Sequence, residues 1–165
     1  HVGDKISYNF QLYNQNNELV NLTNLQGKYL VIYFYPKDDT PGCTAEACSF
    51  RDFNSEIKKL GVEVIGISKD TPKSHTNFET KFRLNFTLLS DPEHIIQDYF
   101  GVWGLKKMMG REFMGTLRTT FLISPEGEIL HVWSDVETDG HGEEVYNKLK
   151  FLISNYEFRN TKNQK

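Results

Sequence analysis

The sequence has little cysteine, two residues in 165. That excludes a disulfide-stapled scaffold, which needs a dense cysteine framework. The two, Cys43 and Cys48, form no Cys-x-x-Cys pair, so the arrangement of a thioredoxin-like disulfide reductase is missing. No apolar run approaches the ~18 residues of a membrane-spanning helix. There is no basic excess either. The formal net charge is -3, and lysine and arginine occur scattered or in short pairs such as Lys58-Lys59 and Lys106-Lys107. This excludes the basic face expected of a nucleic-acid partner and gives no support for a membrane surface. The histidines His1, His75, His94, His131 and His141 have no His-x-x-x-His spacing and no Cys-x-x-Cys nearby. No metal and no other cofactor is therefore expected. His131 alternates with apolar residues and reads as structural or solvent-facing. Five prolines and twelve glycines build no linker. No repeat or low-complexity block divides the chain.

What remains is an ordinary globular composition, 38% hydrophobic and 25% charged. This length suits one domain over residues 1–165 with a real core. A polar tail is expected from about residue 157, fraying from Asn160. Two free thiols and no secretory pattern suggest a reducing, cytoplasmic compartment.

Residues 6–25 surround the polar centre Asn14-Gln15-Asn16-Asn17 and read as an N-terminal hairpin. Tyr29 to Tyr35 is a continuous β-branched and aromatic run, expected of a strand buried on both faces. Pro36 ends it. From Cys43 to Lys59 the pattern is helical, with Phe50, Phe53, Ile57 and Leu60 on one stripe and Gly61 as the residue after the cap. Val62 to Ser68 is the next strand, completing a right-handed βαβ unit. A helix over 72–82, a strand over 86–89 and a short helix through Tyr99 follow. Residues 104–115 read as a polar, methionine-containing excursion. Thr119–Ile123 and Ile129–Trp133 flank the turn Ser124-Pro125-Glu126-Gly127. A last helix from about Gly142 carries Val145, Leu149, Leu152, Ile153 and Tyr156 on one face. The fold class is α/β, a mixed central sheet flanked by helices.

Cys43 falls where a buried parallel strand hands over to a helix, the sheet edge at which α/β proteins bind ligands. The unpaired N–H groups and positive end of a helix N-terminus favour a thiolate, the reactive form. A buried inert cysteine fits the same position. Thr40 lies three residues ahead and can donate or accept, or simply cap the helix. Cys48 is five residues beyond Cys43. On an intact helix that spacing gives a ~7.5 Å rise, ~140° of rotation and Cα atoms ~8.7 Å apart. Disulfides need about 4.4–6.8 Å. A Cys43–Cys48 bond therefore requires the first turns of the helix to unwind; otherwise Cys48 is a core residue that never meets Cys43.

With Pro36, Thr40 and Cys43 in the pattern proline, three residues, threonine, two residues, cysteine, the chain resembles the peroxiredoxins. Phe34 to Lys37, Pro41 to Thr44 and the second cysteine at Cys48 are similar to the peroxiredoxin Q, or bacterioferritin comigratory protein, branch. The likeness runs on through Gly101-Val102-Trp103-Gly104, Met114-Gly115 and Arg118 to Ile123, over about residues 2–156. One departure is Ile6-Ser7-Tyr8-Asn9-Phe10, where the family carries a Pro-x-Phe element. The resemblance implies a thioredoxin-like fold and a thiol-dependent peroxidase of antioxidant defence. It implies that Cys43 attacks hydroperoxides and becomes a sulfenic acid, that Thr40 and Arg118 hold the peroxide oxygens, and that Pro36 shields the pocket. Cys48 would resolve the sulfenic acid as an intramolecular disulfide, recycled by thioredoxin or a similar dithiol. An intramolecular pair suggests a monomer.

Glu46, in the first turn of the helix, reads as a carboxylate suited to the dipole, with a contact to Arg118 as the second reading. Asp38-Asp39 reads as a solvated loop. Trp103, Met108 and Met109 fit an apolar rim or core packing. Two other functions fit the same cysteines. A thiol–disulfide oxidoreductase is disfavoured by the absent Cys-x-x-Cys. A non-enzymatic redox sensor or holdase would also use local unwinding.

Overall fold

A computed structural model describes residues 1–163. The chain opens with β1 (Gln11–Asn14) and β2 (Leu19–Asn21), followed by a 3₁₀ turn over Leu22–Leu25. Then come β3 (Tyr29–Phe34), α1 (Pro41–Lys59), β4 (Val62–Ser68), α2 (Pro72–Phe82), β5 (Thr87–Ser90) and α3 (Ile95–Phe100). The remainder is β6 (Trp103–Met108), β7 (Arg111–Thr116), β8 (Thr119–Ile123), β9 (Ile129–Ser134) and α4 (His141–Asn163). Seven strands form one sheet in the order β2-β1-β5-β4-β3-β8-β9. β3, β4 and β5 are mutually parallel and the other neighbours antiparallel, so the sheet is mixed as expected.

The aromatic run explains the centre of the sheet. Val31, Tyr33 and Tyr35 face α1, α2 and α4, while Leu30, Ile32 and Phe34 face the 3₁₀ turn and α3. Alternate side chains of a strand point to opposite faces, so a strand apolar at every position needs cover on both. A fully buried side chain such as Phe50 contributes about 1.5–3 kcal/mol by leaving water.

Several local expectations change. α1 starts at Pro41, two residues before the predicted Cys43, because proline suits the first helical position. Residues 104–115, read as a polar, methionine-containing excursion, are regular strand on either side of a turn. They form the two-stranded β6–β7 hairpin, turning at Met109-Gly110, both with positive φ. The predicted strand 86–89 is displaced to Thr87–Ser90. The tail expected to fray from Asn160 continues α4 through Asn163; Gln164 and Lys165 lie outside the described residues. Val145 and Leu149 are fully buried on α4, as its stripe predicted.

α4 meets α1 closely. The backbone N–H of Gly142 donates to Ser49 Oγ at 2.7 Å. A Cβ on Gly142 would lie 2.4 Å from the Ser49 carbonyl oxygen, so only glycine fits this crossing. The contact falls one residue after Cys48.

Candidate active site

α1 begins just beyond the carboxyl end of the parallel strand β3, and Cys43 lies in its first turn. Thr40 has the extended backbone of an N-cap residue, but its side chain caps nothing. Its hydroxyl donates instead to the Lys37 carbonyl at 2.9 Å. The positive end of α1 is thus left uncapped by Thr40, next to the thiol.

Cys43 is 1% exposed. Arg118 reaches it from the turn between β7 and β8. The antiparallel register pairs Phe34 with Thr119, which brings Arg118 to the end of β3 where α1 starts. Its Nη2 donates to Cys43 Sγ at 3.1 Å, and its Nη1 donates to Glu46 Oε1 at 3.1 Å. A Cβ on Gly42 would come within 3.1 Å of the same Nη2, so the guanidinium packs directly on the helix start. A donor and a fixed positive charge are thus aimed at the sulfur, where they can stabilise negative charge during reaction. Pro36 is half-buried at the end of β3. Both cysteines are free, Cys48 is half-buried, and α1 runs unbroken past both. The structure thus brings Cys43 and Arg118 into contact, with Pro36 and Thr40 in the adjoining loop. It keeps Cys48 on an intact helix.

For Glu46 the second reading holds rather than the dipole one. It is fully buried and paired with Arg118. Burial pushes its carboxyl up to about 7, opposed by the Arg118 charge and hydrogen bond. Its Oε2 and the nearby Tyr33 hydroxyl are buried without hydrogen-bond partners among the described residues. The raised value fixes a sign for stability. The folded state holds the proton more tightly than the unfolded chain, so the contribution is complete below the ordinary value of 4.5. It is lost as pH rises toward about 7. Glu46→Gln is expected to flatten this slope. Thermal melts of wild type should fall between pH 5 and 8 relative to the variant, and parallel curves would refute the assignment.

Asp38 also departs from the solvated-loop reading. It is buried, whereas Asp39 is exposed and pairs with Lys81 at 2.8 Å. Asp38 Oδ2 lies 2.7 Å from Nδ1 of the fully buried His75, thirty-seven residues away. His75 is therefore not isolated. Asp38, Asp70 and His75 are spaced closely enough to hold a cation. Their ligand atoms are already hydrogen-bonded to Ser68, Ser74 and Leu89 and to one another. His141 is buried too, bonded to Thr120 and Glu144. His131 is half-buried with its ring edge against Trp133. Trp103 stacks on His94 with centroids 4.2 Å apart. Met108 and Met109 are exposed at the hairpin tip and belong to no core.

A model of the AhpC/TSA family matches residues 2–132. This chain belongs to that family. Among curated relatives, peroxiredoxin Bcp of Escherichia coli K12 is 49% identical over 149 residues, covering 90% of this chain and 95% of the relative. Peroxiredoxin Bcp of Bacillus subtilis 168 is 44% identical over 149 residues, covering 90% and 94%. Among solved structures, a cysteine-to-serine mutant of Xylella fastidiosa PrxQ superposes with a TM-score of 0.86 at 36% identity, covering 91% and 95%. The bacterioferritin comigratory protein of Xanthomonas campestris, studied for its alkyl peroxide reduction activity, gives 0.84 at 37%, covering 90% and 96%. The peroxiredoxin resemblance read from Pro36, Thr40 and Cys43 and the thioredoxin-like fold are thus both borne out. Among the described residues no helix is long and apolar enough to cross a membrane.

Proposed function

We propose that this peroxiredoxin reduces hydrogen peroxide and organic hydroperoxides with Cys43 as its nucleophile. The observation that carries the reading is Arg118 Nη2, 3.1 Å from the sulfur of a buried cysteine at a helix start. The thiolate attacks one peroxide oxygen, the O–O bond breaks, and the departing alkoxide or hydroxide takes a proton from solvent. Cys43 is left as a sulfenic acid. Arg118 stabilises negative charge on the thiolate and then on the departing oxygen. Cys48 next attacks the sulfenic sulfur, releasing water and closing a disulfide. A dithiol protein of the thioredoxin kind exchanges with that disulfide and restores both thiols. Both cysteines belong to one helix, so one chain completes the cycle and a monomer suffices. A reducing compartment such as the cytoplasm suits the free thiols.

Mass spectrometry after one equivalent of hydrogen peroxide tests the sequence of steps. Wild type should lose two hydrogens through a Cys43–Cys48 bond, and Cys48→Ser should stop one oxygen heavier. Wild type that also stops at the sulfenic acid would remove Cys48 from the cycle.

A further inference from the structure

The loop between Pro36 and Thr40 is fastened from beneath. Asp38 Oδ1 accepts from Tyr35 Oη at 2.6 Å, and Oδ2 accepts from Ser74 Oγ at 2.8 Å. The Asp38 backbone N–H donates to Asp70 Oδ2 at 2.8 Å. His75 closes the cluster, with Nδ1 2.7 Å from Asp38 Oδ2 and Nε2 3.0 Å from the Leu89 carbonyl. Both ring nitrogens are thus engaged, one by the loop carboxyl group and the other by a β5 carbonyl. His75 thereby ties the loop to β5 through a fully buried ring.

The fastening has a direct route to the site. Asp38 follows Lys37, and the Lys37 carbonyl receives the Thr40 hydroxyl proton. With that proton committed, the Thr40 hydroxyl has only lone pairs left to offer and can only accept. Arg118 can only donate. A hydroperoxide needs both, a donor for its oxygens and an acceptor for its O–H.

We propose that His75 is a positioning residue of the peroxide site, acting through Asp38 and the Lys37 carbonyl to hold Thr40 as the acceptor of the peroxide proton. The inference rests on the peroxidase reading above. His75 touches neither the sulfur nor Arg118 in any hydrogen bond, so it sets geometry rather than thiol reactivity. Small errors of placement in such a site cost roughly 100-fold in rate.

Removing one partner leaves the other's buried polar atoms unpaired, so the informative variant is the double Asp38→Asn/His75→Phe. It removes the carboxyl group and the imidazole together and keeps an acceptor for Tyr35. Two rates are measured on Cys43, oxidation by hydrogen peroxide and alkylation by iodoacetamide, which needs the thiolate but no peroxide geometry. The expected result is peroxide oxidation slower by roughly 100-fold with alkylation close to wild type. Ser74→Ala, at a half-buried position, removes one donor to Asp38 and keeps the test alive should the double variant not fold. Its peroxide rate should fall about 2- to 10-fold, again without loss of alkylation. Parallel falls in both rates, or a wild-type peroxide rate in both variants, would overturn the proposal. A wild-type protein whose Cys43 is alkylated but not oxidised would instead sink the peroxidase reading, and this inference with it.

Discussion

Cys43→Ser is expected to lower peroxide consumption by on the order of 10⁴-fold or more, the scale seen when an enzyme's nucleophile is removed. That corresponds to at least about 5 kcal/mol of barrier. A serine hydroxyl stays protonated at neutral pH and is a poor attacker of peroxide oxygen. Arg118 would then donate to a neutral oxygen and stabilise nothing that reacts. The exchange of one buried atom leaves the surrounding packing of Ala47, Phe50 and Tyr33 in place, so the melting temperature should move little. Peroxide consumption coupled to dithiol oxidation measures the effect. A variant that still turns over at the wild-type rate would transfer the chemistry to Cys48 and dissolve the site described above.

Arg118→Ala should slow Cys43 oxidation by about 10²–10³-fold, the usual loss for one donor aimed at developing charge. Two effects combine. The sulfur loses its 3.1 Å hydrogen bond, and the departing oxygen loses its positive neighbour. Buried Glu46 also loses its ion pair, which removes the influence that lowers its carboxyl and pushes that group further toward the neutral acid. Arg118→Lys separates the contributions. An ammonium supplies the charge but lacks the fork that serves Cys43 and Glu46 together, so it should recover only part of the rate. Stopped-flow oxidation of Cys43 would measure both variants, and an unchanged rate in Arg118→Ala would remove the guanidinium from the mechanism.

The legible parts of this site were the local ones. Pro36, Thr40 and Cys43 sit within one strand–loop–helix passage, and the run from Tyr29 to Tyr35 declares a strand covered on both faces. Arg118 lies seventy-five residues from Cys43. Only the family pattern pointed to it, since an arginine at a strand start is otherwise ordinary. Glu46 had a usable signal that dipole reasoning obscured. It shares the helix face of Cys43, Ala47 and Phe50, and a carboxylate on the buried stripe demands a partner. The Asp38–His75 pair left no such trace, because it exists only through the packing of α2 on the loop. The β6–β7 hairpin escaped because its strands carry exposed Leu105, Met108, Phe113 and Met114 instead of a clean alternation. Gly110 at its corner was the available clue, a turn residue suited to the positive φ found there.

The seating of Gly142 on Ser49 turns α1 into two mechanical parts. Beyond Ser49 the helix is clamped by α4; before Asp39 the loop is clamped by α2. A cycle that passes through a Cys43–Cys48 bond must gather its motion into the short stretch between these anchors. In such a cycle oxidation would melt about two helical turns and reduction would refreeze them, so each turnover would also be a small folding reaction. Helix turns form in about a microsecond or less, so the reset should keep pace with any encounter between this protein and its reductant.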